Sequence, residues 1–178
     1  MTAKPPVALA EPVAVRHLQE VDLPGLEWSP DQVRFRRMFR GAFEDMLAGT
    51  RSLWVGAAGA QVVGRLFIQW NSSDLRYADG LSRAYIYALR VHPLWRGQGV
   101  GTRLMAAAEA ELCDRHCSIA TLAVGQDNTA AFRLYQRLGY RIFGEDPGIW
   151  YFTDEQGNLR REEERSWLLE KRMHCGAP

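Results

Sequence analysis

Apolar positions change their period along this chain, and each change marks an element. Residues 13–18 (VAVRHL) form a short alternating run and predict a first strand. From Ser29 the period becomes helical, with Phe35, Met38, Phe39, Ala42, Phe43 and Met46 on one stripe. Ser29 as N-cap, Pro30 at the first helical position and Gln32 as partner of a capping box predict the start, and Gly49 the stop. Two β-type runs, residues 52–57 and 61–70, flank a turn at Ala58-Gly59 and predict a hairpin. Residues 71–83 are polar and read as a loop, and residues 84–91 (AYIYALRV) as the fourth strand. After His92-Pro93 the helical period returns, with Val100, Leu104, Ala108 and Leu112 four apart. Residues 119–124 predict a buried strand. Residues 128–138 predict a helix with Ala131, Leu134, Tyr135 and Leu138 on one face, and Gly139 stops it. A short strand follows at 140–143, then an irregular charged stretch at 144–165, then a closing strand at 166–173.

Residues 84–124 read as strand–helix–strand, which makes a parallel pair if both strands share a sheet. The hairpin before it is antiparallel, so the sheet is mixed and the class α+β. The 178 residues suit one domain, expected over 13–173, behind a Pro- and Ala-rich arm at 1–12. Lys and Arg total 22 against 21 Asp and Glu, which argues against a general nucleic-acid binder. No stretch has the ~18 apolar residues of a membrane span, and the start lacks a secretory signal, so a cytoplasmic place is expected. Cys113, Cys117 and Cys175 are too few and odd in number for a disulfide framework. Cys113 and Cys117, four apart, are expected on one helix face. With His116, His174 and Cys175 they lack the ligand pairs of a zinc knuckle, and no metal is expected.

The densest chemistry lies in Arg96-Gly97-Gln98-Gly99-Val100-Gly101-Thr102, between a predicted strand and a predicted helix. Glycines there leave main-chain N–H groups unshielded at a helix N-terminus, where the helix dipole favours an anion. Arg96 and the Thr102 hydroxyl can add to them, and the arrangement suits a pyrophosphate. The stretch has no Lys for a P-loop and does not fit the G-x-G-x-x-G dinucleotide pattern.

Residues 96–101 resemble the (Gln/Arg)-x-x-Gly-x-(Gly/Ala) signature of the GNAT superfamily of N-acetyltransferases. Residues 89–93 (LRVHP) look like that family's splayed fourth strand, and residues 124–140 (VGQDNTAAFRLYQRLGY) like its fifth strand and following helix. The resemblance implies a mixed central sheet of about six to seven strands, with helices on both faces, splayed between the fourth and fifth strands. It implies acetyl-coenzyme A as co-substrate, its pantetheine amides paired with the main chain of Leu89 and Val91 and its pyrophosphate held by residues 96–102. Asn128 would bond the cofactor arm, although an N-cap accounts for it equally.

The same resemblance makes Tyr135 the general acid that protonates the departing thiolate; by periodicity it is a core aromatic. Family members often carry a Glu base on the fourth strand, and residues 83–87 (RAYIY) hold none. Glu27, Asp79, Glu145 and Asp146 are the acids left to consider. Tyr85 and Tyr87, expected on one face with Leu89, either line the acceptor site or simply pack. Trp28, Phe35, Phe39, Trp150 and Tyr151 lie in the segments where the family recognises its acceptor. The implied activity is acetyl transfer to a primary amine, small-molecule or peptide, by a monomer or homodimer without nucleic-acid or membrane partners. The alternative is a non-catalytic sensor of acyl-coenzyme A.

Overall fold

The computed structural model describes residues 12–175; the arm expected over residues 1–12 lies, but for Pro12, outside them. The strands are β1 (Val13–His17), β2 (Arg51–Ala58), β3 (Gln61–Gln69), β4 (Arg83–Val91), β5 (Ile119–Gly125), β6 (Arg141–Asp146), β7 (Ile149–Thr153), β8 (Leu159–Glu163) and β9 (Ser166–Arg172). Seven form one mixed sheet in the order β1-β2-β3-β4-β5-β9-β6, and β7 and β8 form a separate hairpin. The helices are α1 (Arg36–Leu47), α2 (Val100–Asp114) and α3 (Thr129–Arg137).

β3 is buried on both faces, which explains its nearly continuous apolar run. On one face, α1 and the 3-10 turn Glu20–Leu26 bring Leu23, Leu26, Phe39, Ala42 and Phe43 against Leu53, Val55, Val62 and Phe67. On the other, α2 packs Val100, Leu104, Met105, Ala108 and Leu112 against Val63, Leu66, Ile68, Ala84 and Ile86. The helix can come that close because residue 64 is glycine. A Cβ there would stand 2.9 Å from both Leu104 Cδ1 and Val100 Cγ1.

The sheet opens between β4 and β5. Their parallel pairing runs only from Arg83 opposite Ile119 to Ile86 opposite Leu122. Beyond that point β4 stays with β3 as far as Val91, and β5 stays with β9 as far as Gly125. A bulge marks the divergence. Tyr87 faces Phe67, but Arg90 faces Arg65, so β4 carries one extra residue, and Ala88 takes the left-handed φ of 54°. The bulge also reverses the alternation: Tyr87 and Ala88 pack toward the α1 side, Leu89 and Val91 toward the α2 side. The expectation that Tyr85, Tyr87 and Leu89 share one face is corrected accordingly.

Three further expectations are corrected. Residues 144–165 are not irregular, since β6 runs on to Asp146 and the β7–β8 hairpin follows. The hairpin is held by Phe152 and Trp150 against Phe35, at ring separations of 4.9 and 6.1 Å, and by the Arg34–Glu162 and Arg36–Glu155 ion pairs. The helix expected from Ser29 opens as a 3-10 turn, Pro30–Phe35, and becomes α-helical only at Arg36. Ser29 makes no side-chain cap; Gln32 turns inward and accepts the Trp28 N–H at 3.1 Å. Finally, Cys113 and Cys175 form a disulfide, with Cα atoms 5.2 Å apart across 62 residues of chain. After β9 the chain passes the end of α2, where Met173 N–H donates to Ser118 O, and this brings the two cysteines together. Cys117 lies beyond the helix, its N–H closing on Leu112 O, so it shares no helix face with Cys113.

Candidate active site

The glycine-rich turn sits at the open end of the split. Gly97 and Gly99 have φ of +72° and +78°, and Gly99 is the N-cap of α2. A Cβ at either would meet nothing within 4 Å, so the space in front of these N–H groups is open. A left-handed N-cap without a side chain aims the first N–H groups of α2 outward. Arg96 is exposed and anchored by its Nε to Val91 O at 3.2 Å, which leaves the end of its guanidinium free. Gln98 is tied back to Leu94 O at 3.0 Å and Thr102 is exposed. Open space, main-chain donors and one cation fit a pyrophosphate.

Along the split, the half-buried Leu89 and Val91 carry main chain that β5 does not pair. Unpaired edge groups of this kind match the amides of a pantetheine arm. Asn128 caps α3, its Oδ1 accepting the Ala131 N–H at 3.2 Å. This use leaves its Nδ2 free to donate.

Tyr135 projects from α3 into the core, 7% exposed, with its ring edge-on to Tyr140 at 6.0 Å. Burial pushes its phenol up to about 12, so it holds its proton through the neutral range. Tyr85 lies near enough for Tyr135 to add to the upward push that burial already gives it. Tyr85 also stacks on Tyr87, 5.5 Å apart and nearly parallel, and meets Tyr77 edge-on at 4.6 Å. The Tyr87 hydroxyl accepts from Arg51 at 2.6 Å. These rings face the α1 side of the sheet, where Trp28 covers the 3-10 segment and donates its Nε1–H to Val62 O at 3.1 Å.

The four acids left open by the sequence separate by geometry. Both oxygens of Glu27 are taken by Arg36, at 2.8 and 2.7 Å. Asp79 accepts the N–H groups of Leu81, Ser82 and Arg83 and the Ser82 hydroxyl. Against the desolvation that would raise it, these bonds hold its carboxyl at about 2. Glu145 and Asp146 line a cavity of about 230 Å³ with Gln126, Pro147 and Arg165, just past the end of β5. Asp146 is paired with Arg76 at 2.9 Å and accepts the Gly148 N–H at 2.7 Å. Of the aromatic residues expected near the acceptor, Phe39 is core, 2% exposed, and Phe35 and Trp150 join the hairpin to the 3-10 segment. Sequence reasoning missed Tyr77 and Arg65. The signal for Arg65 was one arginine inside the otherwise apolar run VVGRLFI. Among the described residues no group of three or more His, Cys, Asp or Glu could hold a metal, and no helix is long and apolar enough to cross a membrane.

The family model described as the Acetyltransferase (GNAT) family matches residues 14–140. Among solved structures, the ribosomal-protein-S18-alanine N-acetyltransferase from Escherichia coli superposes with a TM-score of 0.64 at 18% identity, over 93% of this chain and 96% of its own. The putative acetyltransferase yncA from Salmonella typhimurium, solved with its cofactor acetyl-CoA, gives 0.67 at 16% identity over 93% and 96%. Arabidopsis thaliana NAA60, in complex with a bisubstrate analogue, gives 0.65 at 19% identity over 92% and 99%. At such identities the likeness is one of fold. The family match spans the sheet through α3, and with the split sheet and its glycine turn it shows that this chain belongs to the GNAT acetyltransferase family.

Proposed function

We propose that this chain moves the acetyl group of acetyl-coenzyme A to a primary amine by direct attack within one ternary complex. The observation that carries the reading is the split beyond Ile86 and Leu122, with the open glycine turn at its end. Residues 96–102 hold the pyrophosphate, the main chain of Leu89 and Val91 pairs with the pantetheine amides, and Asn128 donates to the arm. The neutral amine attacks the thioester carbonyl. A C–N bond forms, the C–S bond breaks, and the Tyr135 phenol gives its proton to the leaving sulfur. The acceptor lies on the α1 side, between Trp28 and the row Tyr85 and Tyr87. The amine sheds its own proton to solvent.

The test is release of free coenzyme A thiol across amine classes, with products identified by mass spectrometry. The panel includes small amines and a peptide beginning with alanine, the acceptor for which the Escherichia coli neighbour is named. Tyr135→Phe should lower kcat by about 10²-fold or more, the usual scale of general acid catalysis, while acetyl-coenzyme A affinity stays within about twofold. Equal turnover in the variant would remove Tyr135 from the chemistry. Tight cofactor binding without thiol release from any amine would leave the sensor reading in its place.

A further inference from the structure

Arg65 is a buried cation with no counter-ion among the described residues. It projects from β3 toward the α1 side and is 5% exposed. Its Nη1 donates to Leu26 O at 2.6 Å, and its Nε is the one buried side-chain polar atom without a partner among the described residues. Its guanidinium carbon lies 4.6 Å from the centre of the Phe39 ring and 5.2 Å from that of Trp28. Burial first, and then the like charge of Arg90, bring it down to about 9. Such a guanidinium is nearly withdrawn from solvent, and an unpaired buried donor alone costs ~1–3 kcal/mol. Val62 and Phe67 on the same strand show that apolar side chains fill this layer readily.

The place of Arg65 suggests what completes it. Arg65 is the register partner of Arg90 on the bulged strand, and Phe67, two residues along, is the partner of Tyr87. Arg65 therefore stands roughly 7 Å along β3 from the point where the sheet opens, by the rise of a strand. Trp28, from the segment expected to meet the acceptor, covers it, and the exposed Arg90 and half-buried His92 lie beside it. We propose that Arg65 receives an anionic group of the acceptor, so that the preferred substrate is an amine carrying a carboxylate a few bonds from its nitrogen. This rests on the acetyl-transfer reading above. The planar fork of arginine pairs with two carboxylate oxygens, and the Nε without a partner here is one tine of that fork. The flanking rings exclude water and hold the fork flat. Arg90, at the solvent edge, steers the anion inward.

The experiment compares acids with their amides as acceptors in the thiol-release assay: glutamate with glutamine, aspartate with asparagine, 4-aminobutyrate with 4-aminobutyramide. The wild type should favour the acid by about tenfold or more in kcat/KM, since a site built around a charge discriminates strongly against its absence. Arg65→Gln should abolish that preference through KM, and Arg65→Lys should restore part of it, with acetyl-coenzyme A affinity unchanged in both. An acid-to-amide ratio equal in wild type and Arg65→Gln overturns the proposal. A second measurement needs no turnover and no variant fold. In 15N-labelled wild-type protein, succinate should shift the Arg65 Nε–H resonance saturably while potassium chloride at equal ionic strength does not. An unmoved resonance overturns the anion site even if amines are acetylated. Failure of every amine to release thiol overturns the enzyme reading while the succinate titration still decides the site.

Discussion

The two halves of the split sheet are built by different means. On the cofactor side, β4, α2, β5 and α3 present main-chain groups: the N–H groups at Gly97 to Gly101, the unpaired edge of Leu89 and Val91, and the cap at Asn128. On the side proposed for the acceptor the surface is made of side chains from distant segments: Arg65 against Trp28, and Tyr77 and Tyr87 each against Tyr85. A main-chain site demands particular local conformations, and few residue types permit them. A side-chain site demands only that several elements converge, and many sequences can satisfy that. On the proposed reading, the first half takes a co-substrate common to a family, and the second is free to differ.

Gly99→Val is the substitution with the largest expected effect on this contrast after Tyr135→Phe. Nothing in the free protein occupies the space of the new side chain, so the cost to folding is confined to a φ of +78°. That conformation costs a branched residue ~1–2 kcal/mol. Acetyl-coenzyme A affinity, measured by calorimetry, should fall by about tenfold or more, because the side chain enters the proposed pyrophosphate site. An unchanged affinity would place the pyrophosphate elsewhere. Asn128 should show a smaller and divisible effect. Asn128→Ala removes the cap and should lower stability by ~1 kcal/mol. Asn128→Asp keeps an oxygen for the Ala131 N–H and removes the free amide donor, so it should keep the melting temperature and weaken cofactor binding several-fold. If aspartate binds acetyl-coenzyme A as well as asparagine does, Asn128 is a cap and nothing more.

The same contrast decides what could be read from sequence. The glycine turn was readable because its composition is its mechanism. The α2 and α3 stripes were readable because each helix buries one face, down to Leu104 and Leu112 at 0% exposure. The β4 bulge was not readable, since Ala88 at φ 54° looks like any alanine in a strand, and with it went the facing of Tyr87 and Leu89. Residues 149–163 were hidden by their charges; their apolar positions find an aromatic partner in Phe35, more than a hundred residues earlier. The pairing of Cys113 with Cys175 depends on where the chain runs after β9, which no local pattern records. Arg65 did leave a mark, a lone cation in an apolar strand, but its lack of a partner is a property of the fold.

The smallest effect is expected at Asp79, and it tests whether the acceptor half can be loosened alone. Asp79 Oδ1 gathers three main-chain N–H groups at the end of the loop that carries Tyr77, and Tyr77 packs edge-on against Tyr85. Its carboxyl titrates at about 2 in the folded protein against an ordinary 3.8. A depressed acid contributes stability that is complete above its unfolded value and is lost as pH falls through the folded one. Asp79→Asn keeps an oxygen for the three donors but removes the charge that strengthens those bonds. Its melting temperature should sit a few degrees below wild type at neutral pH, and the gap should close as the pH falls from about 4 toward 2. Acetyl-coenzyme A affinity should not change, since this loop bonds Ser118, Ile119 and Thr121 at the closed end of the split and not the glycine turn or Asn128, whereas acceptor KM should rise modestly as Tyr77 loosens against Tyr85. A gap in melting temperature that persisted at pH 2 would assign the stabilisation to shape rather than charge. A loss of cofactor affinity in this variant would mean that the two halves of the split are not independent.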